Sequence, residues 1–150
     1  MKEKTIKDSR TEQVQILTPA ALNGYRRLFG GRLMEWIDIV AAVTARRHSG
    51  KNVTTAAIDS LEFKRAAYVN DTVVLVGRIS YVGKTSMEVT VETFVEHLDG
   101  ERVLINRAYV IMVALDENER PVTVPAIIAE TEEEAELLRE GKKRAEKRGR

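Results

Sequence analysis

The chain of 150 residues contains no cysteine. That excludes a disulfide framework, a thiolate nucleophile and a cysteine-ligated metal. Only three prolines and one tryptophan occur, and aromatic residues make up 5% of the chain. The formal net charge of +1 gives no electrostatic case for nucleic acid or an anionic membrane as a partner. No apolar run approaches the roughly 20 residues of a membrane span. The N-terminal MKEKTIKDSRTEQ has no apolar signal core, and the protein reads as cytoplasmic. The length suits one domain with one core.

Residues 1–10 read as a flexible tail. TEQVQIL (11–17) alternates around Val14 and Ile16 like a half-buried strand. RLMEWIDIVAAVTARRH (32–48) places Leu33, Met34, Trp36, Ile37, Val40, Ala41 and Val43 around nearly the whole circumference of a helix, the mark of burial. Arg46, Arg47 and His48 suit its C-terminus, and Ser49-Gly50 ends it. The period then changes to two. Residues 52–63, 72–82, 85–96 and 102–115 read as strands, the last three joined by tight turns into an antiparallel meander. TEEEAELLREGKKRAEKRGR (131–150) begins as a helix capped by Thr131 and continues as a solvated basic run interrupted by Gly141 and Gly149. One helix buried on all sides needs a curved sheet around it and a second copy against the remainder, so a dimer or larger assembly is expected.

Several motifs lead nowhere. GKTS (83–86) resembles the end of a phosphate-binding loop, but the required earlier glycine is Arg78 and a strand follows. His48 and His97 read as exposed residues, and no histidine–carboxylate cluster has metal-ligand spacing.

NGYRRLFGGRLMEWID (23–38) is different. Asp38 lies among apolar positions of the helix, where an unpaired carboxylate is expensive. A salt bridge to Arg46 or Arg107 is one explanation. A functional acid or base is the other, because such groups concentrate at active sites. Asn23 precedes the pair Gly30-Gly31 that opens the helix, and the first helical N–H groups have no internal partners. An amide, an N–H pocket and a carboxylate together fit acyl transfer without serine or cysteine.

These residues resemble the hotdog-fold acyl-CoA thioesterases, in the group of YciA-type and brain-type acyl-CoA hydrolases. The shared features are N-x-x-G-x-L-F-G-G, an Asp seven residues later, D-x-x-x-F and G-x-[ST]-S, over roughly residues 11–115. Three positions depart from the family: Arg26 and Asn70 stand for glycines, and Ala66 for a proline. The resemblance implies an α+β hotdog fold: a five-stranded antiparallel sheet wrapped around one long central helix, plus a C-terminal helical tail. The expected division is a tail over 1–10, the hotdog domain over 11–125 and a charged C-terminal helix over 126–150.

The implied activity is hydrolysis of fatty acyl-CoA to fatty acid and CoA. Asp38 serves as general base or nucleophile, Asn23 holds water or substrate, and the N–H groups at Gly30 and Gly31 polarise the carbonyl. Gly83, Lys84, Thr85, Ser86 and Arg65 are the implied CoA contacts. The acyl chain is expected near Leu33, Ile37 and Met87. Thr55 and Asp59 are shared with the family without an assigned role. No cofactor is implied, since coenzyme A belongs to the substrate. The implied assembly is a homo-oligomer with a dimer as unit, built into a hexamer as a trimer of dimers. In the family the site lies at the dimer interface. The alternatives are a hotdog thioesterase acting on acyl carrier protein and a non-enzymatic acyl-CoA binder.

Overall fold

The structure, a computed structural model, describes residues 1–149; Arg150 and the side chains of Ser60, Leu61 and Glu62 lie outside the described residues. Helix α2 (Gly30–Ser49) is the axis of the fold. Around it curls an antiparallel sheet of β2 (Thr11–Ile16), β3 (Asn52–Phe63), β4 (Thr72–Val82), β5 (Ser86–Glu96) and β6 (Arg102–Leu115), in the order β2-β4-β5-β6-β3. This is the hotdog architecture that the resemblance implied, and the meander of β4, β5 and β6 is present. Among the described residues no helix is long and apolar enough to cross a membrane.

Alternation decides which face of the sheet meets the helix. Met87, Val89 and Val91 of β5 join Val110 and Met112 of β6 in the core, all fully buried. Against them pack Leu33, Ile37, Val40, Ala41 and Ala45 of α2. The helix crosses β4 at Gly77, where a Cβ would sit 2.6 Å from Thr44 Oγ1 and 2.8 Å from Val40 Cγ1. Only glycine admits that approach.

The helix is not buried all round within one protomer. Met34 and Ile39 are 41% and 48% exposed, and Phe29 and Phe63 beside them 53% and 40%. They mark an apolar face toward the free edge of β3, the last strand of the sheet.

Three expectations are corrected. Residues 1–10 are not a loose tail: β1 (Lys4–Thr5) pairs in parallel with β7 (Ile127–Ile128), and α1 (Ile6–Ser9) follows. Ile6, 1% exposed, anchors the segment. His48 is not exposed. It is fully buried, with Nε2 2.8 Å from the Pro125 carbonyl oxygen. Burial pushes its pKa down, partly opposed by that hydrogen bond.

The third correction concerns the basic tail, which is not a solvated face. Helix α3 (Glu132–Lys147) runs unbroken through Gly141, packs on the outer face of the sheet and brings two arginines to a buried carboxylate. Glu88, with no exposed side chain, meets Arg144 Nη2 at 2.7 Å and Arg148 Nη1 at 3.1 Å. Ser80 Oγ also donates to Glu88 at 2.6 Å. Arg148 reaches Asp59 of β3 at 3.4 Å, which gives Asp59 a structural role. Gly141 touches the β4 backbone so closely that a Cβ would overlap the Ser80 carbonyl.

Candidate active site

Asp38 is half-buried, two turns into α2. Neither arginine considered from sequence serves it: Arg107 pairs with Glu92 at 2.8 Å, and Arg46 has no ion pair among the described residues. Its partner is Thr55 of β3, whose Oγ1 donates to Asp38 Oδ1 at 2.7 Å. A hydroxyl that bonds one carboxylate oxygen fixes the rotamer and leaves the other oxygen for chemistry. Thr55 is the functional candidate that the sequence left without a role.

Asn23 closes a tight loop before α2. Its Oδ1 accepts from the N–H of Tyr25 at 2.9 Å and of Arg27 at 3.2 Å, and its own N–H donates to the Arg27 carbonyl at 2.8 Å. The carbonyl half of the amide is therefore committed to the backbone, and the NH2 half is what remains to meet a ligand. Arg26 lies at the tip with φ +61°. The arginine keeps the left-handed conformation that the family's glycine would adopt freely. Asn70 does the same in its own turn, with φ +71°.

Helix α2 begins without a side-chain cap and with no acidic residue in its first turn. Its first N–H groups thus retain both their hydrogen-bonding capacity and the positive end of the helix dipole. Asn23 and Gly30 line one cavity of about 380 Å³, together with Arg27, Phe63, Lys64 and Arg65.

Within one protomer the site residues form three separate groups. Asn23, Gly30 and Arg65 share that cavity; Gly31 follows on the exposed first turn of α2. Asp38 lies about 12 Å further along the helix, at 1.5 Å per residue. Gly83, Lys84, Thr85 and Ser86 form the turn between β4 and β5, with the Gly83 N–H donating to the Ser86 carbonyl at 2.9 Å. Ser86 pairs with Val113 of β6, whereas Phe63 beside the cavity pairs with Asn106. At about 3.3 Å per residue, the turn and Phe63 are roughly 23 Å apart along the sheet, and Arg65 lies beyond Phe63. The expected acyl pocket also differs: Leu33, Ile37 and Met87 are fully buried in the packed core, with no exposure to a chain between helix and sheet.

The thioesterase superfamily matches residues 25–100. The chain belongs to this family. It is 39% identical over 143 residues to the uncharacterized acyl-CoA thioester hydrolase YkhA of Bacillus subtilis, covering 95% of this chain and 83% of that protein. A Staphylococcus aureus acyl-CoA hydrolase, solved with butyryl coenzyme A, coenzyme A and coenzyme A disulfide, superposes with a TM-score of 0.95 at 32% identity, over 99% of this chain and 91% of that one. A hexameric acyl-CoA thioesterase superposes with a TM-score of 0.93 at 38% identity, over 98% and 96% of the two chains.

Alanine variants of the S. aureus enzyme were solved at one asparagine, one aspartate and one threonine. The asparagine and aspartate there are fifteen residues apart, and the aspartate and threonine seventeen. Asn23, Asp38 and Thr55 have the same separations.

Proposed function

We propose that this protein is an acyl-CoA hydrolase whose active site is completed by a second copy of the chain. The observation that carries the reading is the Thr55–Asp38 hydrogen bond at 2.7 Å, which holds a carboxylate ready beside the free edge of β3. The shared spacing of asparagine, aspartate and threonine supports it.

Geometry explains why two copies are needed. Two β3 edges joined antiparallel about a two-fold axis pair residues whose numbers have a constant sum. With the axis near the middle of the strand, the Phe63 end of one copy meets the Thr55 region of the other. Gly30 packs on Phe63, its Cβ position 3.6 Å from the ring. Asn23 and the helix start of one protomer thereby approach Asp38 of its partner, and Arg65 approaches the partner's Gly83–Ser86 turn. The exposed Phe29, Met34, Ile39 and Phe63 are buried in the same step. The dimer is then the unit, and a trimer of dimers is the proposed hexamer.

In this site Asp38 takes a proton from water, and the oxygen attacks the thioester carbonyl. Direct attack by Asp38, followed by hydrolysis of the anhydride, uses the same geometry. The negative charge on the carbonyl oxygen is met by the N–H groups at Gly30 and Gly31 and by the Asn23 NH2. Collapse breaks the C–S bond, and the CoA thiolate takes up a proton. No group beyond substrate, water and these residues takes part in the proposed steps. The cytoplasmic location expected from sequence remains part of the proposal.

The test is thiol release from a panel of short to long acyl-CoAs. Hydrolysis by the wild type is expected. Binding of CoA without thiol release from any of them overturns the hydrolase reading in favour of a binder or a carrier-protein substrate.

A further inference from the structure

Residues 122–126 form neither helix nor strand, yet three of them in a row are tied to three different parts of the molecule. The Val124 N–H donates to the Lys84 carbonyl, in the turn between β4 and β5, at 3.0 Å. The Pro125 carbonyl meets His48 Nε2, near the end of α2, at 2.8 Å. The Ala126 carbonyl accepts from the Lys4 N–H of β1 at 3.1 Å. Val124 and Pro125 are themselves buried. Two adjacent residues therefore connect the central helix to the Gly83–Ser86 turn.

The helix end of this tie is chemically defined. A carbonyl oxygen can only accept, so His48 Nε2 carries the proton and Nδ1 of the neutral ring is left as an acceptor. Nδ1 is buried and has no hydrogen-bond partner among the described residues. Burying a polar atom in that way is a cost, and the one polar bond that His48 makes in return is the one to Pro125. The turn end is fastened from two sides. The Thr85 carbonyl accepts from the Ala114 N–H of β6 at 3.0 Å, and the Lys84 carbonyl from Val124 as above. Lys84 itself is exposed and has no ion pair among the described residues, so its charge is available to an anionic ligand.

We propose that His48 is a positioning residue for substrate binding: through Pro125 and Val124 it holds the Gly83–Ser86 turn in the shape that receives the CoA part of the thioester. The inference rests on the hydrolase reading above and goes beyond it by giving a role to a residue that meets neither substrate nor Asp38. His48 is fully buried, and it lies ten residues, about 15 Å, beyond Asp38 along α2. A turn that loses one of its fastenings moves, and a ligand must then order it on binding. That cost falls on affinity. The chemical step at Asp38 and Thr55 is left as it was.

Three variants test the tie. His48→Leu fills the space without a donor, and His48→Gln keeps an N–H to give to Pro125. Val124→Pro removes the N–H given to Lys84 while His48 stays whole, and it carries the test if His48→Leu does not fold. Amide hydrogen exchange at residues 83–86 reads the turn without reference to catalysis. His48→Leu and Val124→Pro are expected to speed it about fivefold, the size of one lost hydrogen bond, with residues 63–71 unchanged. Calorimetric affinity for free CoA should fall, and KM for acyl-CoA rise, by a similar factor at nearly constant kcat. His48→Gln should match the wild type in every readout. Unchanged exchange at the turn in His48→Leu and Val124→Pro overturns the proposal. So does faster exchange along the whole chain, which assigns His48 to general stability, and so does a loosened turn with unaltered CoA affinity. A His48→Gln protein that behaves like His48→Leu also overturns it, because the donor is then not what matters. If the turn loosens and CoA affinity falls with it, yet the wild type releases no thiol, the positioning role stands and the hydrolase reading falls. Normal thiol release with no effect of the variants on turn or KM gives the reverse.

Discussion

Thr55 on strand β3 gives its hydroxyl proton to Asp38 on helix α2 across 2.7 Å, a bond between a helix and the sheet wrapped around it. The two residues separate on mutation. Asp38→Asn removes the base and is expected to lower kcat by about a hundredfold or more. Thr55→Val leaves the carboxylate but frees its rotamer, with an expected loss of about tenfold. Steady-state thiol release measures both. A Thr55→Val enzyme as fast as the wild type removes any orienting role for the hydroxyl.

Subunit mixing tests the shared site. Asp38→Asn and Asn23→Ala are each expected to be nearly inactive alone. When the two are unfolded together and reassembled, half of the dimers are mixed, and one site in each mixed dimer is intact. Activity should return to about a quarter of the wild-type value, as two-fold symmetry requires. No recovery means that both residues act from the same chain.

Arg26 sits at φ +61°, a conformation that costs a non-glycine residue about 1–2 kcal/mol. Arg26→Gly relieves it, while the greater freedom of glycine in the unfolded chain takes back part of the gain. The expected net effect is about 1 kcal/mol of stabilisation, or roughly 2–4 °C in Tm. An unchanged or lower Tm shows that the surrounding loop already relieves the strain.

Helix α3 depends on the contact of Gly141 with Ser80. Gly141→Ala forces the helix off the β4 backbone and draws Arg144 and Arg148 away from a carboxylate that has no exposure to water. Breaking a buried pair of this kind costs about 3–5 kcal/mol. Urea unfolding of wild type and variant should show a loss of that order, and limited proteolysis should cut first within residues 131–149.

His48 predicts an acid limb in the stability profile. Burial holds its folded-state pKa below the ordinary 6.5. The unfolded state therefore binds more protons, and stability falls as pH drops from about 6.5 toward the lowered value. Above 6.5 the neutral ring contributes fully. The slope is at most about 1.4 kcal/mol per pH unit for one proton. The charges around His48 are Lys4, which opposes its protonation, and Asp8, which favours it. His48→Gln should lose this limb in a series of urea unfolding curves from pH 7 to 5; identical slopes in the two proteins contradict the assignment.

The sheet was legible because its strands alternate and because NGYRRLFGGRLMEWID carries the family pattern. Asp38 is a carboxylate among apolar helix positions, and Asn23 stands ahead of the glycine pair that opens the helix, so both are visible in the sequence. Other features needed three dimensions. His48 extends the buried stripe of Ile37, Ala41 and Thr44, yet its place among terminal basic residues suggested solvent. Gly141 reads as a helix break in one dimension and is a contact point in three. Glu88 alternates with Met87 and Val89 like any surface residue of a half-buried strand, and only the docking of α3 makes it interior.

Strand β3 is twelve residues long and stands at the margin of the sheet. A freshly made monomer therefore carries a sticky seam: a row of unsatisfied amides next to exposed Phe29, Met34 and Phe63. Such a seam recruits whatever strand arrives first. For this chain, assembly is also protection during synthesis, and a substitution that slows pairing will appear as aggregated protein before it appears as lost turnover.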